Sequence, residues 1–453
     1  MLALLAGCTL GPHFRQPSAG VPLGWHEAAL ADAARWPAAE WWRGFGSREL
    51  DDCLAQAQRS NYDLAAAAAR VRQADALATV AGAALLPDVN ASATALGERV
   101  QSTSANYSNF RQYSPQLSAS YMIDFWGRNR AAQAAAVATA TASRHDRATI
   151  ELSVMSAVAL SYFQVIELRE RVAVAQDNVQ AAQTTLRGLR MQREAGIATA
   201  LDVAQQETTV ATLDAAIAPL EQQERQGEHA LAVLLGQAPG AALATGTTLA
   251  DLDHPLVQPG LPSELLLRRP DVAQAQDQLV AANANIAAAR AAFFPQITLT
   301  ASGGFASSAL STVLQSSSGV HELAAGLVQP IFDGGALHGQ YEYAKARYDE
   351  LVADYRKAVL TALADVEDAL VAVQQTQVQV QRQQAAAARA QRAYDIAQAQ
   401  LRSGTVSILT VLNTESALFG ARDALAQARY AQMAALVGLY TALGGGWQQE
   451  PDA

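Results

Sequence analysis

Apolar and polar positions change period along the chain, and the changes mark its elements. After Leu86-Pro87, Val89, Ala91, Ala93 and Ala95 alternate with Asn90, Ser92 and Thr94; later Leu117, Ala119, Tyr121, Ile123 and Phe125 alternate with Gln116, Ser118, Ser120 and Asp124. A period of two puts the two sets on opposite faces of a strand. The pattern returns after Phe294-Pro295, where Ile297, Leu299, Ala301, Gly303 and Phe305 alternate with Gln296, Thr298, Thr300 and Ser302, and Leu323, Ala325 and Leu327 open a fourth stretch. Strands are therefore expected at about 88–98, 114–125, 296–305 and 322–332, joined by polar, Ser-rich loops at 101–112 and 307–320.

Elsewhere the pattern is helical. No proline interrupts the chain between Pro115 and Pro219, or between Pro330 and Pro451, so each stretch can hold one long helix and a returning partner. Helices over 128–193 and 336–402 would each reach about 100 Å at 1.5 Å per residue. Gly196 and Gly404 supply the backbone freedom for the reversals. Ala-rich stretches at 131–142 and 385–390 allow close helix approach, which predicts antiparallel coiled coils.

These elements recur at one offset. Pro295 lies 208 positions after Pro87, and the same spacing relates Ile123 to Ile331, Gly127 to Gly335, Gly196 to Gly404, Leu201 to Leu409, Glu207 to Glu415 and Leu235-Gly236 to Leu443-Gly444. Turn glycines and a proline holding one register over most of the chain indicate an internal tandem duplication. The plan it predicts is an extended segment at 9–40, a first repeat at 41–236, a Pro/Gly-rich linker at 237–262, a second repeat at 263–444 and a tail at 445–453.

Composition narrows the function. Half the residues are apolar but only 16% are charged, and the net charge is −10, so the basic field that nucleic-acid binding needs is missing. Two cysteines exclude a disulfide scaffold. No uninterrupted apolar run of about 18 residues predicts an ordinary transmembrane helix, which says nothing of a β-barrel. His13, His26, His145, His229, His254, His321 and His338 are scattered without metal-ligand spacing, so no metal, cofactor or catalytic residue is expected. The crowded acids Asp365, Glu367 and Asp368 read as a solvated or lumen-facing helix face.

Small and aromatic residues on one strand face, with Ser, Asn, Gln and Thr on the other, suit a wall between lipid and a wet lumen. The alternative is a pair of surface hairpins on a soluble core. An open sheet edge is not tolerated in hydrocarbon, and four strands cannot close a barrel, so copies of the chain must share one. Two copies would leave a lumen plugged by side chains, whereas three would give twelve strands and room for water. The fold class predicted is membrane α+β: a trimeric 12-stranded outer-membrane β-barrel, four strands per chain, continuous with a long periplasmic α-helical barrel of coiled coils.

At the N-terminus, residues 1–8 read as a lipoprotein signal, with Leu5-Ala6-Gly7-Cys8 resembling the lipobox in which the cysteine takes a diacylglycerol and an N-acyl chain. No Lys or Arg precedes Cys8, so a start further upstream is expected. Thr9 in place of the Asp that would retain a lipoprotein in the inner membrane points to a lipid-anchored outer-membrane location. Cys53 is then left as a small apolar residue on a helix face.

Several longer motifs carry a family likeness: Gly11-Pro12-His13-Phe14-Arg15-Gln16-Pro17, Trp41-Trp42, Asp124-Phe125-Trp126-Gly127-Arg128, Leu267-Arg268-Arg269-Pro270-Asp271, Phe294-Pro295-Gln296-Ile297 and Pro330-Ile331-Phe332-Asp333-Gly334-Gly335. With them the chain resembles the TolC/OprM outer-membrane factors, specifically the NodT-like efflux lipoproteins. The resemblance implies a homotrimeric exit duct seated in outer-membrane lipid, meeting a periplasmic membrane-fusion adaptor and an inner-membrane pump, often of the resistance-nodulation-division class. It implies passive conduction of drugs or other small molecules and no enzymatic activity. Type I protein secretion and metal efflux are family alternatives, and a purely structural periplasm-spanning lipoprotein is the reading outside the family. In relatives the periplasmic tip closes next to the glycine turn, which makes Leu409 and Asn413 the gate candidates, with Asp202 near the same level. Asn413 stands where relatives often carry Asp, so a charged ring is not expected here.

Overall fold

The computed structural model describes residues 11–26, 36–103, 106–240, 246–255, 257 and 259–448. Residues 1–8, including Cys8, lie outside the described residues, as do 449–453 of the tail. The chain divides into two compact units, the first from residues 1–18, 69–145 and 274–357, the second from 19–68, 146–273 and 358–453.

The elements run in the order α1 (Arg48–Ser60), α2 (Tyr62–Ala83), β1 (Asp88–Thr103), β2 (Asn106–Ile123), α3 (Arg128–Glu194), α4 (Ala200–Ala215), α5 (Ile217–Leu234), the single turn α6 (Pro262–Leu265), α7 (Pro270–Ala291), β3 (Gln296–Phe305), β4 (Gly319–Val328), α8 (Ala336–Arg402) and α9 (Ile408–Ala442). The 208-residue offset runs through them. It separates the starts of α2 and α7, β1 and β3, and α3 and α8, and α3 and α8 are both 67 residues long. The halves differ on the return. The first return helix breaks at Ala216, three residues before Pro219, whose missing N–H cannot serve a continuous helix; α9 has no proline and runs 35 residues unbroken.

The first unit holds an antiparallel sheet in the order β1-β2-β3-β4. Its register aligns the alternating sets. Asn90, Ser118, Ser302 and Glu322 form one row across the sheet, and Val89, Ala119, Ala301 and Leu323 form the next row on the other face. Ile123, Ile297 and Leu327 share that apolar face. Among the described residues β1 pairs only with β2 and β4 only with β3.

Strand limits in both hairpins depart from the sequence reading, and β2 ends at Ile123 rather than 125. The first hairpin is longer: pairing continues through Gln101↔Tyr107 and Thr103↔Asn106, so most of the loop expected at 101–112 is strand. Its residues are polar but include the β-formers Tyr107 and Phe110. In β4 the strand spans Gly319–Val328 rather than 322–332; it stops before Pro330, which has no N–H for a ladder. The connection at 306–318 contains two short 3-10 turns.

The second unit carries the main core, where Trp41, Trp42 and Phe45 pack with Tyr162, Phe163, Leu231, Leu249, Val437 and Tyr440. Trp41 stacks on Tyr440 at 5.1 Å. An 18-residue window of α3 reaches mean hydropathy 1.5, apolar enough to cross a bilayer by composition, yet half of it is buried within the protein; this run of Val154, Val158, Phe163 and Ile166 serves the core. Cys53 sits half-buried against the same core, where burial, then the charges of Glu49 and Asp52, push its thiol up to about 11. The acidic stretch of α8 is engaged: Asp365 accepts from Arg269 at 2.9 Å and Glu367 from the backbone N–H of His26 at 2.8 Å.

Candidate functional site

The helix reversals of the second unit hold the candidate gate. At the end of α3, Gly196 takes φ 77° and Ile197 N–H donates to Gln192 O at 2.8 Å; at the end of α8, Gly404 takes φ 73° and Thr405 N–H donates to Gln400 O at 3.0 Å. Both are Schellman closures, and both need a left-handed residue. A Cβ at either glycine would meet nothing within 4 Å, so the requirement is purely one of backbone conformation. Gly404→Ala is expected to destabilise the tip by about 1–2 kcal/mol, read as faster hydrogen exchange in the first turns of α9; unchanged exchange would contradict it.

Only the first reversal carries a capping box. Thr199 Oγ1 accepts from Asp202 N–H at 3.2 Å, and Asp202 Oδ2 accepts from Thr199 N–H at 2.7 Å. The Thr199 hydroxyl, donating to Asp202 Oδ2 at 2.7 Å, and then the Thr199 backbone N–H hold the Asp202 carboxyl below its ordinary value, so it stays ionised through neutral pH. Its counterpart 208 positions on is Thr410, and Ser407 caps α9 without a side-chain bond. The structure therefore accounts for Asp202 as a helix cap.

Leu409 and Asn413 lie one turn apart on α9 and both are exposed on the protomer, Leu409 to 54%. Leu409 is thus not a knob inside its own chain; Ile408 and Val411 fill that role. At the first reversal Ile197 and Leu201 are also exposed, to 76% and 65%. Large apolar side chains left bare beside both turns fit contact with further copies or partners.

Beneath them, Leu186, Leu189, Val203, Tyr394, Ala397, Val411, Leu418 and Phe419 form a small core. It contains a carboxyl. Glu415 is fully buried; its Oε1 accepts from Tyr394 OH at 3.2 Å, and Gln206 Nε2, also donating to Ala182 O at 2.9 Å, reaches Oε2 at 3.5 Å. One acid thus links α9, α8, α4 and, through Gln206, α3. Burial raises the Glu415 carboxyl above its usual range against the lowering by Gln206, Tyr394 and Thr185. The sequence reading did not single it out as a site. The signal was present: Ile408, Val411, Glu415 and Leu418 are spaced like coiled-coil core positions, and one of them is an acid.

Paired charges brace the helices nearby: Arg190 with Glu207 at 2.7 Å, Arg171 with Asp423 at 2.6 Å and with Glu167 at 3.2 Å. Among the described residues no group of His, Cys, Asp or Glu is placed to hold a metal ion.

A family model described as outer membrane efflux protein matches residues 53–237 and again 261–445. The chain belongs to the outer membrane efflux protein family. Both matched segments are shifted by the 208 residues that relate α3 to α8. The pyoverdine export outer membrane protein OpmQ of Pseudomonas aeruginosa is 41% identical over 455 residues, covering 99% of this chain and 96% of the relative. The cation efflux system protein CusC of Escherichia coli is 32% identical, covering 98% and 97%. Among solved structures the outer-membrane channel OprN superposes with a TM-score of 0.89 at 27% identity, covering 98% of this chain and all of that one. Family membership makes this chain an outer-membrane component of an efflux system, with a transport role rather than an enzymatic one.

Proposed function

We propose that the chain forms a homotrimer whose strands share one 12-stranded barrel in the outer membrane, and that its long helices build a periplasmic conduit ending at the glycine turns. The carrying observation is a four-stranded sheet, segregated into polar and apolar faces, with β1 and β4 each paired on one side only among the described residues. In hydrocarbon each unpaired backbone group costs several kcal/mol, so β1 of one copy pairs with β4 of the next. The apolar face meets lipid and the Asn90-Ser118-Ser302-Glu322 face lines the lumen. Light scattering on detergent-solubilised protein is expected to give a protein mass near three protomers; a stable folded monomer would overturn the reading.

The duct is passive. Cargo reaches it from a periplasmic adaptor and an inner-membrane pump, which we assign to the resistance-nodulation-division class, and Leu409 and Asn413 from each copy close the tip as a hydrophobic ring and a neutral amide ring. The repeated offset supports an origin by tandem duplication. Cys8 carries the diacylglycerol and N-acyl anchor, supported by Leu5-Ala6-Gly7 before it. Cys8→Ala should abolish palmitate labelling while export falls only in part, because the barrel itself holds the protein in the membrane; unchanged labelling would remove the assignment.

A further inference from the structure

The two hairpins of the sheet repeat one register. Asp88 pairs with Ser120 in the first and Gln296 with Val328 in the second, 208 positions on in both strands; Ala95↔Tyr113 and Gly303↔His321 correspond in the same way. A third seam, β2 against β3, joins the two hairpins, with Gln116 opposite Gly304 and Ser120 opposite Thr300. By the same offset its duplicate would set β4 against β1. Those strands lie at opposite ends of the sheet, so the duplicate seam can form only with a β1 from a second copy.

The faces agree with that pairing. Every residue of β4 is exposed, as are residues 88–96 of β1. Carrying the β2–β3 pairs across by 208 sets Leu327 opposite Ala93 and Ala325 opposite Ala95 on the apolar face, and Gly326 opposite Thr94 on the other. A slip of one residue would turn every side chain of the incoming strand to the wrong face. A closed barrel also requires a fixed stagger, and one register at every seam between hairpins shares it evenly.

The base of the seam is where the repeats differ. Inside the chain Trp126 stacks on Phe294 at 4.7 Å, and its indole N–H donates to Pro295 O at 2.9 Å. Between copies Gly334 stands at the place of Trp126, and Leu86-Pro87 at that of Phe294-Pro295, so this aromatic closure is missing. Pro330, at the place of Met122, has no N–H to continue a ladder. Directly after it Ile331 and Phe332 are exposed to 89% and 92%, and Leu86 to 68%. Large apolar side chains bare on both edges at the same end of the sheet fit burial against each other.

We infer that the seam between copies repeats the β2–β3 register, β4 of one copy against β1 of the next, and that Ile331 and Phe332 close its base on Leu86 and Val89 of the next copy. This rests on the shared barrel proposed above.

The test uses the full-length protein in detergent, oxidised with copper phenanthroline and then denatured. Thr94→Cys/Gly326→Cys and Ala95→Cys/Ala325→Cys are expected to give covalent oligomers of up to three protomers, because directly opposed residues stand about 4.5–5.5 Å apart at Cα, within disulfide reach. A Cβ at Gly326 would meet only Thr298 O, at 4.0 Å, so cysteine fits there. Each single variant controls for Cys53. A slip of two residues keeps the faces, so the displaced pairs Ser92→Cys/Gly326→Cys and Leu96→Cys/Gly326→Cys decide the register; at about 7–8 Å they should give about tenfold less product. More product from a displaced pair overturns the register, as does the absence of product from every pair in a protein of trimeric mass. Absence of product with a monomeric mass overturns the shared barrel itself. For the base, benzoylphenylalanine in place of Phe332 should, on irradiation, give a covalent dimer joined at a peptide containing residues 86–89. Capture only within its own chain or on detergent overturns that contact, whatever the cysteine pairs give.

Discussion

With Asn413 replaced by Asp, conductance in planar bilayers is expected to become dependent on pH and divalent cations. Asn413 is exposed on α9 one turn after Leu409, and in the closed trimeric tip proposed above its three copies would face one axis. Three carboxylates there would repel by about 1 kcal/mol per pair at contact distance even in bulk water, and by about 4 at an effective dielectric constant near 20. The ring answers in one of two ways. It opens, or its pKa values climb from near 3.9 until protons or cations neutralise it. The variant should therefore respond between pH of about 5 and 7.5, and added divalent cation should close it again. The proposed ring of parent amides would have no charge to titrate in that interval. Leu409→Ala should raise conductance by widening the constriction without adding pH sensitivity. If neither substitution changes conductance while the trimer persists, these side chains do not face the axis.

The parts of this molecule that the sequence made legible are those ruled by hard backbone chemistry. Proline and glycine punctuate the long helices, and α8 runs from Ala336 to Arg402 as the proline-free stretch implied, with α3 one residue longer than expected. Period-two alternation placed the strand faces, because a strand has no other way to segregate lipid from water. The hairpin length was harder. Beyond Leu96 the β1–β2 pairing proceeds through polar residues, where alternation of polarity is lost although β-propensity persists, so the pattern looked like a loop. Pro219 marked the end of a proline-free stretch, yet only the structure ties it to a break between α4 and α5.

The candidate gate was legible to different degrees at its three positions. Exposure of Leu409 and Asn413 follows from their places off the Ile408-Val411-Glu415-Leu418 stripe, which periodicity already contains. Asp202 carried two meanings in sequence, and the reciprocal bonds with Thr199 favour the cap. Glu415 escaped notice because an acid on an apolar stripe is legible only when the stripe itself is laid out. Glu207, 208 positions earlier, is exposed and pairs with Arg190, so the same residue type at the matching offset ended in opposite environments.

That buried carboxyl gives the other large effect. In the folded tip the Glu415 pKa is raised, mainly by burial, so the native state holds its proton more firmly than the unfolded chain does. The sign follows from linkage: its favourable contribution is complete below the ordinary carboxylate value of 4.5 and is lost as pH rises through the raised native value. Above that point the tip must bury a charge with only Tyr394, Gln206 and Thr185 to solvate it, or loosen. Hydrogen exchange of amides 408–419 in the parent should therefore quicken with rising pH beyond the intrinsic chemical rate. Glu415→Gln keeps an acceptor for the Tyr394 hydroxyl and has no proton to lose, so its tip should be better protected than the parent at neutral pH, with a flat profile. Glu415→Ala removes the acceptor and leaves Gln206, whose Oε1 already has no partner, facing a void; a loss of about 1–3 kcal/mol at every pH is expected. The local readout matters because Glu167, also buried and raised but paired with Arg171, would contribute to any global melting curve. Parallel pH profiles for the parent and Glu415→Gln would show that another group sets the response.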